Sequence, residues 1–104
     1  MASDLAVNAR NIAGSYTYTG GDIGYEDFEL VADGSFTSWL HQRPETVGVW
    51  SLEGNVITVR EQTGAVQMMT VKSLSSSEME VHFRGMKSSA HYLKRLQNEM
   101  PDEQ

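Results

Sequence analysis

The chain contains no cysteine, which excludes disulfide bonds, thiol catalysis and thiolate metal sites. It has only two prolines, and no apolar run approaches the length needed to cross a bilayer as a helix. Basic residues are few and scattered: eight Lys and Arg stand against fourteen Asp and Glu, for a formal net charge of −6. That balance argues against nucleic acid and anionic membrane as partners, because both require clustered cations to neutralise phosphate. Residues 1–10 lack the charged start and apolar stretch of a leader. The expected location is therefore cytoplasmic if Met1 is native, and periplasmic or secreted if a leader has been removed. No segment sustains a helical apolar period over a useful length.

What is present instead is a repeating alternation. A length of 104 residues, 39% of them hydrophobic and 21% charged, suits one small soluble domain with a modest core. Glycine and Asn, Asp or Ser clusters recur about every ten residues. Between them lie runs with period-two apolarity, rich in aromatic and β-branched residues. The pattern is that of consecutive hairpins and predicts strands over 14–19, 24–31, 35–41, 46–52, 56–62, 65–74, 78–84 and 89–95. The expected fold is all-β, an antiparallel up-and-down meander of about eight strands closed into a small barrel. Residues 1–11 are expected to form an arm or short helical turn. Ser3 is a fair cap there, and Leu5, Val7 and Ile12 are its apolar anchors. Residues 12–96 are expected to form the barrel, and 97–104 a disordered acidic tail.

Turn chemistry sets an expected register. Ala32-Asp33-Gly34 reads as a three-residue loop with glycine at the left-handed position, pairing Leu30 with Phe36 and Phe28 with Ser38. Gly54-Asn55 reads as a two-residue turn pairing Leu52 with Ile57 and Trp50 with Val59. A loop at Arg43-Pro44 pairs Phe36 with Trp50. All three place Phe28, Leu30, Phe36, Trp50, Leu52, Ile57 and Val59 on one face, whereas a one-residue slip would reverse a whole strand. The serines at 75–77 join Val71 and Ser73 to Val81 and Met79. A last hairpin near Met86-Lys87 pairs Val81 with Tyr92 and Phe83 with Ala90. Along 65–74, Val66 and Met68 compete with Met69 and Val71 for the inside.

Several residues resemble a known pattern. Gly14-Ser15-Tyr16 opens the first strand. Leu30, Asp33-Gly34-Ser35-Phe36, Gly48-Val49-Trp50 and Glu53-Gly54-Asn55 follow with Ile57. Leu74, Glu78-Met79, Tyr92 and Arg95 close the series. This resembles the small bacterial lipocalin-like barrels over about residues 12–96, with Tyr16 where lipocalins usually carry Trp. The resemblance implies a binding role, for an apolar small molecule or another protein. It also implies a basic residue from the last strand, Lys94 or Arg95, packed over Tyr16 as a cation–π contact. The pairing above puts Lys94 inside, while an exposed Arg95 facing Glu78 is the alternative.

Each candidate for chemistry has a plainer reading. Tyr16, Phe28, Phe36, Trp50, Met69, Met79 and Tyr92 line either a cavity for an apolar ligand or simply a packed core, since eight strands leave little room. His82 and His91, expected opposite each other, form a metal or pH-sensing pair or two solvated side chains. Glu26, expected inward near Tyr16 and Tyr18, is a buried acid or a rim residue. Trp39, outward beside Val47 and Val49, forms an apolar patch for a partner unless the arm folds back over it. No catalytic set, metal site or cofactor is assigned. The expected function is non-enzymatic binding of a protein partner or a second copy through the Trp39/Val47/Val49 face, with an inhibitor or immunity-type protein with a free arm as its specific form. The alternatives are a carrier or sensor of a small apolar ligand and, third, a barrel enzyme using Glu26.

Overall fold

A computed structural model describes residues 6–21, 25–40 and 43–95. A single turn of helix, α1 (Ala9–Ile12), precedes eight strands: β1 (Gly14–Gly21), β2 (Asp27–Leu30), β3 (Ser35–Leu40), β4 (Arg43–Glu53), β5 (Val56–Glu61), β6 (Val66–Leu74), β7 (Glu78–Phe83) and β8 (Ala90–Arg95). Every strand pairs antiparallel with its neighbour in sequence, and β8 returns to β1 to close the barrel. Closure follows from the sequence pattern: each strand buries alternate residues, and a ring of eight leaves no unpaired edge.

The two hairpins with the clearest turn chemistry have the expected register. Leu30 lies opposite Phe36 and Phe28 opposite Ser38. Gly34 takes φ +100°, the Val31 N–H donates to the Ser35 carbonyl, and the Ser35 N–H donates to Asp33 Oδ1 at 2.9 Å. Trp50 lies opposite Val59 and Leu52 opposite Ile57 across the turn at Gly54-Asn55.

Three pairings differ. Phe36 lies opposite Gly48, not Trp50. β4 begins earlier than expected, at Arg43, and a bulge between Ser38 and Trp39 puts Pro44 opposite Trp39. Proline suits such a place because it has no N–H for the ladder. Gly48 is required where it stands: an added Cβ would lie 2.2 Å from the Arg60 carbonyl oxygen. In the last hairpin Val81 faces Ala90 and Met79 faces Tyr92, again two residues from the expected register, so that residues 82–89 separate the last paired positions of β7 and β8. Both offsets are even, so every side chain keeps its face.

The third difference is odd. Val71 faces Val81 as expected, but a bulge between Val71 and Ser73 then pairs Leu74 rather than Ser73 with Met79. The bulge turns Leu74 inward and leaves Ser73 in solvent. Burying leucine in place of serine offsets the lost ladder bond. Along β6 the competition resolves in the same currency: Met69 and Val71 are buried, Met68 is half-buried and Val66 is exposed.

One cluster fills the barrel. Tyr16 stacks on Phe28 with centroids 4.9 Å apart and planes 23° apart. Tyr92 meets Phe28 edge-on at 4.9 Å. Ile12, Leu30, Ile57, Val59, Met69, Val71, Leu74, Met79, Val81 and Phe83 complete the core. α1 closes one end. Its cap is Asn8, whose Oδ1 accepts from the Asn11 N–H at 2.8 Å. Ser3 and Leu5 lie outside the described residues, as does the tail at 97–104. Ile12 is fully buried, its carbonyl accepts from the Tyr16 hydroxyl, and Val7 packs against the core. Val7 and Ile12 therefore plug this end of the barrel, while Ala6, Asn8, Ala9 and Arg10 are exposed.

Candidate functional site

The seven residues expected to line a ligand cavity converge inside the barrel, and each is at least nine-tenths buried. They touch one another as core residues do. A ring that the sequence reading did not place inside, Tyr25, lies among them. Its centroid is 4.9 Å from that of Phe36, 5.9 Å from Phe83 and 6.1 Å from Phe28. Its hydroxyl donates to Glu61 Oε2 at 2.7 Å, and its carbonyl accepts from the Tyr92 hydroxyl. Glu61 sits opposite Gly48, which in turn sits opposite Phe36. Tyr25 thus crosses the end of the barrel remote from α1, over an inner position, Gly48, that carries no side chain.

That placement corrects the expectation for Glu26. Strict alternation back from Phe28 would point residue 26 inward, but the strand begins only at Asp27 and the chain bends at Glu26. Tyr25 takes the inner position and Glu26 is half-buried. The only available signal was composition: an aromatic ring buries far more apolar surface than a carboxylate.

Burial dominates the electrostatics of the interior. Desolvation pushes the Tyr16 and Tyr92 hydroxyls far above the ordinary tyrosine range, with the nearby Tyr18 and Asp27 adding to the effect at Tyr92. Tyr25 is pushed up in the same direction, first by burial, then by its hydrogen bond to Glu61 and the charges of Glu61 and Glu45. All three are therefore neutral phenols that serve as hydrogen-bond donors. Lys94, on the last strand, faces inward opposite Tyr16 and is buried, as the pairing predicts. Arg95 pairs with Ser15, and Glu78 faces Leu93 instead of Arg95.

The histidines do not meet. His91 lies opposite Glu80, while His82 lies opposite Thr70 with its Nε2 2.7 Å from the Met86 carbonyl. The two-residue offset of the last hairpin separates them. Among the described residues no three His, Asp or Glu side chains are grouped to hold a metal ion.

On the outer face, Val47 and Val49 of β4 are exposed, at 44% and 54%. Trp39 is half-buried and is not opposite Val47: the bulge places it across from Pro44 and Asp27, while Thr37 faces Val47 and Ser35 faces Val49. Nor does the plug cover Trp39. Val7 shares a groove of about 560 Å³ with Trp50 and Leu52 at the opposite end of β3, where the Trp50 indole N–H donates to the Val31 carbonyl at 2.8 Å.

A sequence model of the lipocalin-like domain matches residues 4–81, which takes in α1 and all strands through most of β7. The chain belongs to the lipocalin-like domain family. No curated protein and no solved structure matches it. Lipocalin-like domains are in general binding proteins rather than enzymes, and the eight-stranded antiparallel barrel fits that class. Within this lipocalin-like chain, β8 lies beyond the matched segment and closes the barrel on β1. Among the described residues no helix is long and apolar enough to cross a membrane.

Proposed function

We propose that this lipocalin-like barrel is a non-enzymatic binding protein that engages a protein partner from the outside of its wall, through the exposed valines of β4. One contrast supports this reading: the residues that would line an interior ligand are packed against one another, whereas Val47 and Val49 stand in solvent. Large apolar side chains exposed together on a small protein mark interaction sites more often than stable bare surface.

Native mass spectrometry of protein purified gently from its own host tests the reading. The expected result is a complex of protein mass that is lost when Val47 and Val49 are both replaced by Lys, with the melting temperature unchanged. A bare monomer, or a complex indifferent to that double variant, overturns it.

A second reading, a small apolar ligand, draws on the family and on the groove bounded by Val7, Trp50 and Leu52. A small retained mass in the same spectrum, lost on Leu52→Lys, would favour it.

A further inference from the structure

The exposed valines continue into a larger surface. In register, Val49 is flanked by Arg60 of β5, and Arg60 by Val66 of β6. Val66 is 52% exposed, so Val47, Val49 and Val66 form an apolar ridge with the Arg60 side chain through its middle. One row along, Thr58 faces Met68, whose sulfur accepts from Arg84 Nη1 at 3.2 Å. There the ridge opens into a shallow groove of about 460 Å³ lined by Val56, Met68, Thr70, His82, Arg84 and Gly85.

The charge of this wall opposes that of the molecule. Arg60 and Arg84 are exposed, Lys72 projects beside the groove, and the groove lining holds no carboxylate. The acids nearest in register stand at its margins: Glu45 and Glu53 at the two ends of β4, with Glu53 opposite Val56, and Glu80 of β7 opposite Ser73. The other side of the barrel carries Asp27 and Glu29 on β2. A chain of net charge −6 thus concentrates exposed cations among exposed apolar side chains on one wall.

We infer that the β4–β6 wall, with the groove over β7, docks an acidic segment of another protein that carries apolar anchors. The inference rests on the proposed outer-wall function and adds the chemistry of the partner. Charge complementarity selects the acidic sign, and the valine ridge and Met68 select apolar anchors. The closed barrel offers no strand edge, so the segment lies across side chains instead of extending the sheet. A second copy related by two-fold symmetry would set this same cation-bearing wall against itself, which charge complementarity disfavours.

Selection of random twelve-residue peptides on the immobilised full chain tests this. Enriched peptides should combine Asp or Glu with large apolar residues. Their binding should weaken at least tenfold between 50 and 500 mM salt, and at least tenfold on Arg60→Glu or Arg84→Glu, both exposed positions whose variants are checked for folding by circular dichroism. Neutral or basic peptides that lose binding on Val49→Lys but not on Arg60→Glu overturn the acidic chemistry while leaving the outer wall as the binding face. Peptides indifferent to all three variants, or no enrichment, overturn both readings. Two further outcomes would identify a different occupant and overturn the inference. One is a dimer in sedimentation velocity that Val49→Lys dissociates. The other is enrichment seen only after removal of residues 97–104, whose Glu99, Asp102 and Glu103 would make the chain's own tail the ligand.

Discussion

The inner and outer faces of β4 and β5 are built from the same kinds of residue and serve opposite ends. Inward, Trp50, Ile57 and Val59 are buried among aromatic rings. Outward, Val47 and Val49 stand in solvent beside Arg60. β-branched residues on both faces satisfy strand propensity equally, so propensity does not tell them apart. The difference lies in what surrounds each face. Inside, one valine more or less alters a close-packed cluster; outside, it alters only what can dock.

The comparison is sharpest where packing is tightest. Phe28 touches Tyr16, Tyr25, Phe36 and Tyr92, so Phe28→Ala should cost about 3–5 kcal/mol in denaturant unfolding. A loss under about 1 kcal/mol would mean that the interior is loosely filled and open to a ligand.

The next effect is alkaline. Tyr16, Tyr25 and Tyr92 are held neutral well above the range in which the unfolded chain ionises, near pH 10. The unfolded state then binds fewer protons than the folded one, so stability falls as pH rises. The contribution is fully present below about pH 10. Above it, each buried tyrosine removes up to about 1.4 kcal/mol per pH unit. Unfolding titrations at pH 8, 10 and 11 check this, and a flat profile would place those hydroxyls in solvent.

Gly48→Ala comes third, at about 1–3 kcal/mol, because its methyl group must displace the β5 backbone at Arg60. Hydrogen exchange of the β4–β5 amides should rise with it. Unchanged exchange would show that the two backbones have room to part. The smallest effect belongs to the outer wall: Val66→Thr should change stability by less than about 0.5 kcal/mol. A larger loss would make the wall a part of the core and remove it as a docking face.

Much of this was legible in the chain. The lipocalin-like barrel, the strand count and nearly every inward residue follow from period two and turn chemistry. The hairpins at Asp33-Gly34 and Gly54-Asn55 have the expected register because each loop admits few solutions. The turn chemistry around Arg43-Pro44 and Met86-Lys87 is less restrictive. There the pairing moved by two residues, which preserved the faces and so went unmarked in the pattern of polar and apolar residues. The cost fell on pairings across the wall: Trp39 with Val47, and His82 with His91. Tyr25 was missed because the chain bends at Glu26, just where alternation stops being a guide.

The sequence by itself determined which side chains go inside, since burying an apolar side chain is worth far more than any local preference and a slip of one residue would expose a whole strand's set. Only the tertiary structure decided which inward residues meet, and therefore which outward ones stand side by side. Bulges at Ser38/Trp39 and Val71/Ser73, the close approach at Gly48 and the plug formed by Val7 and Ile12 answer to the closure of the ring. Each of eight strands must satisfy two neighbours at once, and no segment of the chain carries that condition alone.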